Sequence, residues 1–173
     1  KDKIFYDTSG GGVTISGGEP LMQPDFLIAI LQKSKKYGIH TAVETCGFAE
    51  RQIMEDVLEY TDLFLYDYKE TDRELHYKYT GVYPERILEN LEFLYVKKKD
   101  VILRCPMIPG YNDREDHFKA IAALLDRYGN IKGVDLEPYH NLGEVKWEGL
   151  GLGRKNKFSV PEPDVVERWK SKI

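Results

Sequence analysis

The chain has 173 residues, 42% apolar and 31% charged, with a formal net charge of −4, which is enough for one soluble domain with a real core. The acidic balance gives no reason to expect nucleic acid or an anionic membrane surface as a partner, and no apolar run is long enough to span a bilayer. Cys46 and Cys105 stand too far apart to read as a metal-ligand pair and are too few for a disulfide framework. They read as small packing residues, and the expected setting is reducing and cytoplasmic. No signal peptide opens the chain, and Lys1 is not a native start, so an upstream segment is expected.

Residues 1–10 read as the remnant of a preceding helix, closed by Ser9-Gly10. Val13–Ser16 is the first strand, and Gly17-Gly18-Glu19-Pro20 cannot continue it. Two glycines let the backbone approach a ligand with no Cβ in the way, Glu19 adds an acceptor, and Pro20 stiffens the exit. Such a turn suits a small zwitterion bearing an ammonium group, or it is an ordinary strand-to-helix turn. Pro24 and Asp25 open a helix with Phe26, Leu27, Ile30 and Leu31 on its apolar face, three lysines in its last turn and Gly38 as its cap. Ile39–Glu44 is the second strand, closed by Thr45-Cys46-Gly47. A helix over 50–60 follows, with Ile53, Met54, Val57 and Leu58 on one side.

Leu63–Tyr68 is the third strand, followed by a polar, aromatic-rich stretch with a short helix over 72–79. Pro84 opens a strong amphipathic helix whose inward residues are Ile87, Leu88, Leu91, Leu94 and Tyr95. Val101–Cys105 is the fourth strand, ended by Pro106. The turn Pro109-Gly110-Tyr111-Asn112-Asp113 leads to an Asn/Asp N-cap. The next helix carries Phe118, Ile121, Leu124, Leu125 and Tyr128 and stops at Gly129. Val134–Glu137 is the fifth strand. An irregular region covers 140–159, and a last helix over 163–172 packs back on the outside. Strands that alternate with helices imply right-handed crossovers and a parallel sheet, covered on both faces or curved into a barrel.

In such a sheet all strand C-termini share one edge, and ligands bind there. That rim receives Ser16 to Glu19, Glu44 and Thr45, Asp67 and Lys69, Arg104, and Glu137 with His140 just beyond. Asp67 inside Leu63–Tyr68 needs a cation, and Lys69 can point to the same face; the pair is a ligand site or a structural salt bridge. Arg104 is a fork for a carboxylate or an ion-pair partner of Glu137 or Glu44. His140 is a loop histidine. The tyrosines at 66, 68, 77, 79, 83 and 95 read as core and half-buried surface.

Gly11 to Pro20 resembles the Gly-Gly-Glu-Pro motif of radical S-adenosylmethionine enzymes. With Gly38–Gly47, Asp62–Lys69, Arg104–Asp113 and Leu136–Gly143, the ordered set is similar to the activating enzymes of glycyl-radical enzymes, such as pyruvate formate-lyase activating enzyme. The resemblance covers about residues 10–158. It implies an α/β fold: a parallel β/α partial TIM-like barrel, incomplete at its N-terminal edge, with about five strands of a (β/α)6 core in a single domain over 1–173. It implies that Gly17, Gly18 and Glu19 bind the methionyl amino group of S-adenosylmethionine. Asp67, Tyr68 and Lys69 would approach the methionine moiety and its carboxylate, and His140 the adenosine end. Arg104 would sit near the cofactor and the incoming glycyl loop. Thr45 and Asp67, with Glu44 where some members have Asp, match places where the family can hold a monovalent cation.

In that family one electron from a [4Fe-4S] cluster cleaves the sulfonium, and the resulting radical takes a hydrogen from a glycine of the partner, a glycyl-radical enzyme. Flavodoxin or ferredoxin is the electron donor. The family's C-x3-C-x2-C cluster motif has no match here, and neither Cys46 nor Cys105 substitutes. The chain is therefore expected to be a fragment that cannot do the reductive chemistry alone, and its missing barrel part leaves a strand edge unpaired. Two other readings stand beside this one: a non-catalytic partner-docking module, and a small barrel lyase or aldolase using Lys69. The second calls for a Gly-rich phosphate loop, for which 149–153 is a poor candidate.

Overall fold

The structure, a computed structural model, describes residues 3–141 and 158–173. A first helix, α1 (Lys3–Ser9), leads into β1 (Gly12–Ile15). A 3-10 turn (Pro20–Met22) and α2 (Pro24–Lys36) carry the chain to β2 (His40–Thr45). Then come α3 (Arg51–Leu58), β3 (Leu63–Asp67), α4 (Arg73–Thr80), α5 (Glu85–Val96), β4 (Asp100–Met107), α6 (Glu115–Arg127), β5 (Ile131–Pro138) and α7 (Pro163–Lys170). The five strands pair in sequence order, and every pairing is parallel.

Sequential order decides where the helices go. Right-handed crossovers that always step to the next strand in the same direction place every connecting helix on one face of the sheet. The burial pattern agrees. Along β3 and β4 the residues Phe64, Tyr66, Val101, Leu103, Cys105 and Met107 are fully buried, and their alternating neighbours Leu65, Asp67, Ile102, Arg104 and Pro106 are only partly covered. The buried set forms one cluster with Leu27 and Leu31 of α2, Met54 and Val57 of α3, Ile87, Leu91 and Leu94 of α5, and Phe118 and Ile121 of α6. Of the two expected sheet arrangements, the chain adopts the curved, singly wound one. Trp169 of α7 joins the same core, and Lys172 pairs with Glu115 of α6 at 2.8 Å, so the last helix closes the outside of the layer as expected.

Several element ends differ from the sequence reading: β5, for one, begins at Ile131 rather than Val134. Pro106 does not end β4, which runs to Met107. Its missing N–H faces β3, which has already ended at Asp67, while β5 stays paired through Cys105 and Met107. The cap of α6 is Arg114, with no side-chain cap bond, because Asn112 and Asp113 are used inside the preceding turn: Asn112 Oδ1 accepts from Ile108 N–H and Asp113 Oδ1 from Gly110 N–H. Tyr95 is exposed rather than inward, tilted against Tyr128 at 5.2 Å. Among the expected half-buried tyrosines, Tyr66 and Tyr68 are core, and Tyr77, Tyr79 and Tyr83 are exposed. Most of the irregular region expected over 140–159, the 149–153 stretch included, lies outside the described residues. Among the described residues, no helix is long and apolar enough to cross a membrane.

Candidate functional site

On the helix-free face, the C-terminal ends of β2 to β5 bring five charged side chains together. Lys69 Nζ lies 3.0 Å from Asp67 Oδ2. The Arg104 guanidinium pairs with Glu44 through one nitrogen and with Glu137 through another. Register explains the arrangement: Asp67 is the Cα partner of Arg104, and Arg104 and Glu137 stand on strands paired through Pro106. Both sequence alternatives for Arg104 as an ion-pair partner are realised at once. Burial raises the Asp67 pKa above the usual carboxylate range, against the pull of the Lys69 ammonium. The Arg104 guanidinium resists the effect of burial, and its two carboxylates hold its pKa up.

The Gly17–Glu19 turn lies at the β1 end of the same rim. Gly17 has φ +137, and at both Gly17 and Gly18 a Cβ would point into open space. Glu19 is not a free acceptor. Its Oε1 accepts from Leu21 N–H at 3.1 Å and from the Thr45 hydroxyl at 2.6 Å, and its Oε2 accepts from Cys46 N–H at 2.9 Å. The Cys46 thiol also hydrogen-bonds to this carboxylate, so Glu19 offers a ligand its negative charge more than a vacant lone pair. Thr45 Oγ1 in turn accepts from Gly47 N–H at 2.9 Å. Thr45 is therefore a brace: it ties the end of β2 to the glycine turn and lies on the buried face.

Tyr68 also faces the helices. Its hydroxyl bonds with the Thr71 hydroxyl at 3.0 Å, and its ring stacks on His117. Only its backbone lies on the rim. His140 is exposed and lines a cavity of about 910 Å³ together with Arg104, Asp135, Glu137, Lys170 and Ile173. That volume suits a nucleoside-sized ligand. The cavity joins Arg104, Glu137 and His140 at the β5 side, and Gly17, Gly18 and Glu19 stand outside it, at the opposite edge of the sheet.

A polar network missed by the sequence reading lies directly beneath the Asp67–Lys69 segment. The fully buried Glu70 carboxylate accepts from Thr71 N–H at 2.8 Å, from Asp72 N–H at 2.9 Å, and from both terminal nitrogens of Arg114 at 2.7 and 2.9 Å. Burial opposes that charge, but the Arg114 and backbone donors hold the Glu70 pKa below the usual range. Thr71 Oγ1 bonds with His117 Nδ1 at 2.7 Å, and burial depresses the His117 pKa, which keeps the ring neutral. Asn112 Nδ2 donates to Lys69 O at 2.8 Å and to Pro106 O at 2.7 Å. Glu70 and Arg114 are 44 residues apart. The one signal available in sequence was the turn at 109–113, which returns the chain to the rim.

The two thiols are packing groups, as expected. Cys105 is buried and faces the helices, with its pKa pushed up to about 12. Cys46 is partly covered, and burial with the nearby Glu19 carboxylate pushes its pKa up to about 11. An iron–sulfur cluster needs several close, ionised thiolates. Two protonated thiols on separate strand segments do not fit one.

The family model of the radical SAM superfamily matches residues 3–124. The choline trimethylamine-lyase activating enzyme of Oleidesulfovibrio alaskensis is 46% identical over 154 residues, which is 87% of this chain and 50% of that protein. The chain thus spans about half the length of several of the curated relatives it matches. The pyruvate formate-lyase 1-activating enzyme of Escherichia coli is 36% identical over 169 residues, covering 96% of this chain and 69% of that one. A crystal structure of a domain of pyruvate-formate lyase-activating enzyme from Bacteroides vulgatus superposes with a TM-score of 0.77 at 31% identity, over 94% of this chain and 92% of that one. With its five parallel strands forming part of the superfamily's barrel, the chain belongs to the radical SAM superfamily, among the activating enzymes of glycyl-radical enzymes.

Proposed function

We propose that this chain is the S-adenosylmethionine-binding portion of an enzyme that places a glycyl radical on a partner protein. The observation that carries the proposal is the charge string on the helix-free face: Asp67, Glu44 and Glu137 are set against Lys69 and Arg104, one carboxylate in excess. S-adenosylmethionine carries a sulfonium, an ammonium and one carboxylate, so its net charge is one positive and complements that face. Such a face between open glycine backbone on one side and a nucleoside-sized cavity on the other fits an elongated ligand with an amino-acid end and an adenosine end.

The roles follow from what each group has left to offer. The bare backbone at Gly17 and Gly18, with the negative charge of Glu19 beside it, receives the ammonium. Lys69 uses one ammonium hydrogen on Asp67 and keeps two for the ligand carboxylate. Arg104, held by Glu44 and Glu137, keeps the centre of the face rigid. His140 stands at the adenosine end, lining the cavity. Thr45, Glu44 and the buried Tyr68 side chain position the others. Bound S-adenosylmethionine would supply one-electron chemistry: reduction of its sulfonium would break the bond from sulfur to the adenosyl carbon, release methionine, and let that carbon take a hydrogen atom from a glycine of the partner. In this reading the reductant is a [4Fe-4S] cluster fed by a flavodoxin or ferredoxin. The cysteines of this chain do not hold that cluster, and residues 1–173 alone bind the cofactor without cleaving it. The names of the relatives, all activating enzymes, support a glycyl-radical enzyme as partner. A Lys69-dependent lyase has no comparable support: Lys69 is 40% exposed and paired, unlike the desolvated lysines that form Schiff bases.

Lys69→Ala and Asp67→Ala are each expected to lower affinity for S-adenosylmethionine by about tenfold or more in calorimetric titration, the usual loss with a charge-assisted hydrogen bond. The melting temperature should change by only a few degrees, because Lys69 is 40% exposed and burial of Asp67 already opposes its charge. Unchanged affinity in both variants would remove the assignment.

A further inference from the structure

The β3–β4 ladder ends where the site begins. Tyr68 N–H donates to Arg104 O at 2.8 Å, and that is its last rung. The next donor on β4 would be residue 106, a proline with no N–H. Two carbonyls beyond the ladder, Lys69 O and Pro106 O, are left without a strand donor, at the level where Lys69 presents its ammonium. Asn112 bridges the two strands there. Its carboxamide gives one hydrogen to Lys69 O and the other to Pro106 O, and its oxygen takes Ile108 N–H at 2.8 Å. Asn112 is 5% exposed, and three of its four hydrogen-bonding sites are used on backbone groups of two chain segments. One residue further on, Glu70 is gripped by Arg114, two residues after Asn112. The β3–α4 and β4–α6 loops are thereby fastened together on both sides of Lys69.

We infer that Asn112 is a positioning residue for the cofactor: its carboxamide ties Lys69 O to Pro106 O just past the last ladder rung and so fixes the Lys69 backbone, aiming the ammonium at the ligand carboxylate. This rests on the cofactor-binding reading above. Neither Asn112 nor its two carbonyl partners need touch the ligand, since they act through Lys69.

The test is a double-mutant cycle read with two probes, S-adenosylmethionine and its decarboxylated analogue, titrated calorimetrically into the 173-residue chain. Wild type should prefer the carboxylate-bearing probe. Asn112→Ala should lose about tenfold in affinity for it and almost nothing for the decarboxylated one, and in a Lys69→Ala background it should cost nothing further. Where Asn112→Ala does not fold, Asn112→Ser, which keeps a small donor and acceptor at the position, should show the same selective loss in weaker form. Equal losses for both probes, or additive losses in the cycle, would mean that Asn112 only stabilises the fold and would overturn the inference while leaving cofactor binding standing. A wild-type chain that binds neither probe would overturn the cofactor reading and this inference with it.

Discussion

Gly47→Ala is expected to destabilise the chain by about 4 kcal/mol, the sum of a strained left-handed residue and an overpacked core contact. Gly47 has φ +70, and a Cβ there would meet the Tyr66 hydroxyl at 1.7 Å and its ring carbons at 2.2 and 2.6 Å. Neither side can yield easily. The Tyr66 ring is fully buried, and its hydroxyl donates to Ile87 O at 2.7 Å. Gly47 N–H is held by Thr45, and Gly47 O accepts from the buried Asn90 at 2.8 Å. In a chain of this size the loss should lower the melting temperature by roughly 10 °C. Gly18→Ala is the counterpart: open space surrounds its Cβ, so stability should hold while cofactor affinity falls, because the methyl group occupies the ligand's side of the turn. Denaturant unfolding checks the first and calorimetric titration the second. A Gly47→Ala chain as stable as wild type would contradict this account of the β2 end.

Glu70→Gln is expected to cost about 3 kcal/mol, since it breaks a buried, bidentate pair with Arg114. Its pH signature separates it from a simple packing defect. The His117 pKa is depressed by burial from its usual 6.5, so the unfolded chain takes up a proton that the folded ring refuses. The stability it contributes is complete above about pH 6.5 and is lost as pH falls below that value. The Glu70 pKa lies below its usual 4.5 because Arg114 and backbone donors outweigh its burial. Its contribution is complete above about pH 4.5 and is lost as pH falls through the folded value. Melting temperature against pH should thus decline in two stages on acidification. Glu70→Gln should keep the first stage and flatten the second by the Glu70 share. A variant curve parallel to wild type below pH 4.5 would show that Glu70 is not the charged anchor described here.

The rim was legible because its charges interrupt apolar strands. Asp67 in Leu63–Tyr68 and Arg104 in Val101–Cys105 are conspicuous in sequence, and parallel pairing puts them side by side. What alternation cannot show is how much of a side chain is already committed. Glu19 and Thr45 read alike as groups facing a ligand, yet they bond each other across 26 residues and hold backbone amides besides. Tyr68 shares a motif with Asp67 and Lys69 but, by the two-residue period of a strand, must point to the other face. The anchoring layer of Glu70, Asn112, Arg114 and His117 stayed hidden for a different reason. Its residues are ordinary polar loop and helix residues in sequence, and Asn112 looked like a helix cap. Only the fold brings the two loops together, and only then does Asn112 stand between Lys69 O and Pro106 O where the ladder ends.

The most direct test of the central claim is an amide NMR titration of the 173-residue chain with S-adenosylmethionine, which registers even weak binding site by site. The account predicts shifts at Gly17, Gly18, Glu44, Asp67 to Lys69, Arg104 and His140, with the amides of α2, α3 and α5 unmoved. Shifts confined to the helical surface, or none at the strand ends at saturating ligand, would contradict it.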